Sequence, residues 1–212
     1  MTHTRTTGSS FDSLLWGFTS LAVAVLLSST IFVPTGLPKA ASGTSPTSQA
    51  AAAFERIPFT TAAGRLTTLA DMNGQVRIVT TFYAHCPAAC PLAFDALQRM
   101  EGRLSAAQRA RLHVVALTVD PNRDGQGQLR QFESERGVDP HRWTLGRASP
   151  ADTARLTGPL GASVRVLEDG TIDHASSFVL LDSRGRTVAR TADTSGSDAQ
   201  FAAAVRLALG NE

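Results

Sequence analysis

Two cysteines, Cys86 and Cys90, are the only thiols in the 212-residue sequence, and three residues separate them. In one helical turn, side chains at i and i+4 share a face, so both sulfurs can meet a single ligand. The same closeness permits a disulfide where the Cα separation falls in the usual window of roughly 4.4 to 6.8 Å. Metal binding and thiol redox chemistry therefore start from one geometry. Two thiols are too few for a four-thiolate zinc or iron–sulfur site or for a disulfide scaffold. A disulfide closing so small a loop restrains little chain entropy, which makes it a poor staple. A helix starting at the pair would favour thiolate over thiol, improving both a ligand and a nucleophile.

The remaining polar candidates are weaker. Of five histidines, His3 and His141 lie in polar surroundings, and His113 opens a predicted strand, where a packed or edge residue is expected. His85 adjoins Cys86, but neighbours on extended chain point to opposite faces. His174 has nothing in its own surroundings that marks it as a ligand. Asp120 and Asp124, in the run DPNRD, have the look of a hard-metal pair, yet two carboxylates on one short loop are expected to serve turns and caps at the surface. Asp173 is a candidate to orient a neighbouring group, although an adjacent residue seldom bonds the ring beside it.

The elements that must position these residues follow from periodicity. FTTAAGRLTTL (59–69) predicts a hairpin turning at Gly64, and VRIVTTFY (76–83) predicts a buried strand ending just before Cys86. Pro87 and Pro91 suit a first helical turn, and Leu92, Leu97, Met100 and Leu104 recur at roughly helical spacing behind it. Strands are expected at 112–120, 143–145, 178–181 and 187–189. Helices are expected at 126–136, 150–156 and 198–209, the last capped by Ser195 or Ser197. Strands alternating with helices, then two strands joined by the turn DSRGR (182–186), predict an α/β domain with a mixed sheet covered by helices. That order suits a thioredoxin-like fold.

Composition places this domain behind a different kind of segment. Residues 14–33 (LLWGFTSLAVAVLLSSTIFV) carry no charge and would span about 30 Å as a helix, enough to cross a bilayer core. Residues 34–53 are rich in Pro, Gly, Ser, Thr and Ala and read as a tether. The expected organisation is an N-terminal segment over 1–13, a transmembrane anchor over 14–33, a flexible linker over 34–53 and the folded domain over 54–212. Flanking charges nearly balance across the anchor and do not orient it. The formal net charge is only +2, with 20 cationic residues scattered among 18 carboxylates, so nucleic-acid binding has no electrostatic support.

TFYAHCPAACP (81–91), VDPNRD (119–124) and IDHASSFVLLD (172–182), in this order over most of residues 58–190, resemble the Sco/SenC family of copper chaperones for cytochrome c oxidase assembly. A C-x-x-x-C-P run joined to a distant D-H before a strand is a specific pairing. The resemblance implies a thioredoxin-like domain binding copper, as Cu(I) and Cu(II), through Cys86, Cys90 and His174. Cys86 and Cys90 would also form a redox-active disulfide. It implies as partners the copper-binding subunit of the oxidase, with other copper chaperones or thiol reductases as further ones. It also implies an inner-membrane anchor with the N-terminus in the cytoplasm and the domain in the periplasm. Two soft thiolates suit Cu(I), and an added imidazole lets Cu(II) be held as well. The sequence departs from the family where an acidic residue commonly follows the first Cys-Pro, because Ala88 and Ala89 stand there and make an apolar rim. Two other functions remain open on the same fold: a thiol-disulfide oxidoreductase acting on exported proteins, and a copper or redox sensor. Against the first stand the three-residue spacing and the lack of a proline in HASSF (174–178).

Overall fold

The computed structural model describes residues 53–168 and 171–210. The anchor expected over 14–33, and all but the last residue of the linker over 34–53, lie outside the described residues. Within them, no helix is long and apolar enough to cross a membrane.

Nine strands form: β1 (Phe59–Thr61), β2 (Leu66–Thr67), β3 (Val76–Phe82), β4 (Leu112–Thr118), β5 (Trp143–Arg147), β6 (Val164–Val166), β7 (Ile172–His174), β8 (Phe178–Leu181) and β9 (Thr187–Thr191). Seven of them make one sheet in the order β2-β1-β5-β4-β3-β8-β9, and β6 and β7 pair separately. The centre is parallel, with β3 beside β4 and β4 beside β5. Strand β8 then runs antiparallel to β3 and to β9. The expected hairpin forms as β1–β2, with Gly64 at a φ of 84° that a side chain would strain.

Helices α1 (Ala89–Gly102), α2 (Ala106–Arg111), α3 (Gln126–Arg136), α4 (Pro150–Thr157) and α5 (Ala199–Leu209) alternate with these strands, and all but α2 bury residues. Strands β3 and β4 are buried along all seven of their residues, as expected of central strands covered on both faces. Their side chains alternate between two cores. Ile78, Phe82, Val114, Ala116 and Leu180 join Phe94 and Leu97 of α1, Phe132 of α3 and Val205 of α5. Val79, Val115, Leu117 and Leu181 join Phe59 and Leu156 on the other side. This is the mixed sheet flanked by helices that the sequence predicts.

The structure corrects several details. Leu92 is 61% exposed, off the buried face of α1, and Phe94 fills the core in its stead. Helix α5 is capped by the Asp198 side chain, which accepts from the backbone N–H groups of Gln200 and Phe201, not by Ser195 or Ser197. Helix α2 was missing from the expected set because it buries no residue and so has no apolar face to read. Its signature is the Ser105–Gln108 capping box. The β6–β7 pair also escapes periodicity, since β6 is exposed throughout.

Candidate metal centre

Strand β3 delivers the chain to Cys86 through a tight turn in which the Cys86 N–H donates to the Tyr83 carbonyl at 3.2 Å. Cys86 is not in a helical turn with Cys90, as the spacing had suggested. It precedes α1, and its Sγ accepts the backbone N–H of Cys90 at 3.2 Å, taking the place of an N-cap side chain. Both cysteines are free thiols and both are buried.

His174 arrives from 84 residues further along, at the end of β7. Strand β8 runs antiparallel to β3 with Val79 opposite Val179. Continued by five residues, that register brings His174 level with Ala84, two residues short of Cys86. Its Nε2 lies 3.6 Å from Cys90 Sγ, and one donor atom from each of Cys86, Cys90 and His174 lies within 4.8 Å of the others. Ligand bonds of about 2.0–2.3 Å at open angles need donors roughly 3.5–4 Å apart, so the spacing fits one soft ion. His174 is half-buried beside two buried sulfurs.

The two thiols are electrostatically unlike. The bond from the Cys90 side chain, the N–H groups of Cys90 and Ala88 and the nearby imidazole of His174 outweigh burial and bring Cys86 down to about 5. That same bond to Cys86, with burial, pushes Cys90 up. Cys86 is therefore the more readily ionised of the two, and Cys90 the one that keeps its proton. Such a pair can attack a disulfide, and it can also take a soft cation with release of the Cys90 proton.

Of the surrounding residues, His85, His113 and Asp173 fall out as expected, whereas Asp120 and Asp124 are buried. His85 is exposed and its Nδ1 faces the Asp124 carboxylate at 3.5 Å, and it does not join the three converging donors. His113 is buried in the sheet with its Nε2 2.8 Å from Thr144 Oγ1, a packed strand residue as expected. Asp120 pairs with Arg123. Asp124, expected in a surface loop, is fully buried and accepts the Ala84 N–H at 2.9 Å and the Thr118 hydroxyl. The DPNRD turn thus holds the segment that leads into the cysteines. Asp173 bonds Arg165 at 2.6 Å and leaves His174 alone. Ser176 takes the orienting position, with its Oγ 2.9 Å from His174 Nδ1. Tyr83, buried, packs edge-on against the imidazole at 5.4 Å between ring centroids. Neither had a sequence signal beyond lying in the two motif runs. Pro87, Ala88, Ala89 and Leu92, next to the cysteines along the chain, are exposed and apolar.

Comparison with known proteins places this arrangement. The family model SCO1/SenC matches residues 44–210. The mitochondrial protein SCO1 of Saccharomyces cerevisiae is 26% identical over 125 residues, 56% of this chain and 41% of that protein. A relative from Stutzerimonas stutzeri is 33% identical over 63 residues, 30% of this chain and 31% of its own length. The chain thus spans less than half the length of either curated relative. Among solved structures, Arabidopsis thaliana ScoI with copper bound aligns at a TM-score of 0.60 and 18% identity, covering 71% of this chain and 96% of that one. BsSco, described as a member of the Sco family of cytochrome c oxidase assembly proteins and as carrying a disulfide switch, aligns at 0.60 and 19% identity, covering 74% and 92%. At these identities the likeness establishes the shared thioredoxin-like fold.

Proposed function

The chain belongs to the SCO1/SenC family, and from that premise we propose that it binds copper through Cys86, Cys90 and His174 and passes it to the copper-binding subunit of cytochrome c oxidase during assembly. The observation that carries this reading is the convergence of two sulfurs and one imidazole within 4.8 Å from sequence positions 84 residues apart. Thiolates hold Cu(I), and the imidazole extends the site to Cu(II). Three protein donors leave a coordination position for a recipient's ligand, so the ion can be exchanged without first being released to water. In this reading residues 14–33 anchor the chain in the inner membrane, residues 34–53 tether it, and the domain from residue 54 works on the periplasmic side.

A second reading, thiol-disulfide reduction of an oxidase subunit or another exported protein, is favoured by the unlike thiols. Cys86 would attack as thiolate and Cys90 would resolve the mixed disulfide. The two readings differ in what they ask of residue 174, because exchange needs two sulfurs and copper delivery needs the imidazole as well. His174→Ala should abolish support of oxidase assembly while sparing reduction of a model disulfide. Normal oxidase assembly by that variant, with only Cys86 and Cys90 indispensable, would replace the chaperone by the reductase.

A further inference from the structure

Ser176 stands between the end of β3 and His174, and the number of protons available there decides the state of the imidazole. The Phe82 carbonyl accepts the Val119 N–H at 2.8 Å and so faces β4. Carbonyls alternate along a strand, so that of Thr81 faces the other way, toward β8. The β3–β8 ladder stops at Val79 and Val179. The buried Thr81 carbonyl therefore lies beyond the ladder, and the Ser176 hydroxyl reaches it at 3.2 Å. A carbonyl only accepts, and a serine hydroxyl has one proton to give. With that proton on Thr81, Ser176 Oγ is left as an acceptor for His174 Nδ1 at 2.9 Å. Thr81 Oγ1, 3.4 Å away, is placed to donate to the same oxygen. The neighbouring Asp173 carboxylate is turned to Arg165 and offers the ring no alternative acceptor.

We propose that Ser176 is a positioning residue that locks His174 in the tautomer protonated on Nδ1, so that the Nε2 lone pair faces the cysteine sulfurs. The opposite tautomer would direct an N–H at the position a metal must occupy, and would draw the Ser176 proton away from a buried carbonyl. The tautomer follows from the hydrogen-bond network alone. Its use in holding copper rests on the function proposed above.

Long-range proton–nitrogen correlation NMR of the reduced, metal-free protein with labelled histidine reads the tautomer directly, with His174→Ala to assign the signal. At a pH where the ring is neutral, wild type should show Nδ1 protonated and Nε2 bare. Ser176→Ala should shift the ring toward the Nε2-protonated form and weaken Cu(II) binding about tenfold, the lower end of the cost of losing such an orienting partner. Ser176→Thr should restore both. A wild-type ring protonated on Nε2, or a Ser176→Ala ring that keeps its Nδ1 proton, would overturn the lock. If the Nδ1-protonated form is found in a wild-type protein that binds no copper, the lock stands and the copper reading falls.

Discussion

Among the histidines in the described residues, the fold brings His174 to the cysteines and keeps the others apart from them. His174 points Nε2 at Cys90 Sγ from 3.6 Å, whereas His85 faces Asp124 and His113 bonds Thr144 inside the sheet. One copper per domain is therefore expected, with thiolate-to-Cu(II) charge-transfer absorption when the ion is oxidised. His174→Ala should cost at least tenfold in Cu(II) affinity, and His85→Ala should leave it almost unchanged. Equal affinities of the two variants in a competition titration would remove His174 from the ligand set. Sequence chemistry alone could not rank these residues. His85 is adjacent to a cysteine and His174 is 84 residues from the other, so proximity along the chain says nothing of the contact at 3.6 Å, and only the motif resemblance singled out His174.

Two elements set the stability of this arrangement. The turn from Asp120 to Asp124 holds the chain ahead of the cysteines through one buried carboxylate, which accepts from Ala84 and Thr118. Asp124→Ala leaves one buried and one part-buried donor without an acceptor, at about 1–3 kcal/mol each, so thermal unfolding should move down by roughly 4–24 °C. Hydrogen exchange of the Ala84 amide should quicken as well, and an unchanged Ala84 rate would show that this turn does not hold the loop. In β4, burial, aided by Arg65 and Arg77, lowers His113 to about 4 from 6.5. The folded state therefore keeps this ring neutral. The stability tied to that neutrality is fully present above pH 6.5 and is lost as pH falls toward 4, by about 3 kcal/mol. Denaturant midpoints followed between pH 7 and 4 should fall more steeply in wild type than in His113→Gln, and parallel curves would remove His113 as the source. Strands and helices with strong periodicity were legible at this scale. Helix α2 and strand β6 were not, because neither buries a face.

For the whole molecule, the expected outcome is a mature protein that retains residues 14–33 and exposes its domain outside the cytoplasmic membrane. Intact mass and protease access on spheroplasts measure this, and a mature chain starting beyond Val33 would end the anchor reading. The apolar stretch over 14–33, the Pro-, Gly-, Ser- and Ala-rich run after it, the alternating elements of an α/β domain and the C-x-x-x-C pair are local properties of the chain, written in composition, period and spacing, so the sequence alone determines them. The tertiary structure decided what depends on pairing between distant segments. The antiparallel β3–β8 register carries His174 to the cysteines, and the end of that same ladder leaves the Thr81 carbonyl to Ser176. Burial turned Asp124 from an expected surface residue into the support of the cysteine segment. The two sulfurs are made unlike by the bond between them, by the N–H groups at the start of α1 and by the imidazole brought from 84 residues away. No local pattern encodes the His174 and Asp124 contacts, because each joins segments that only the folded sheet brings within bonding distance.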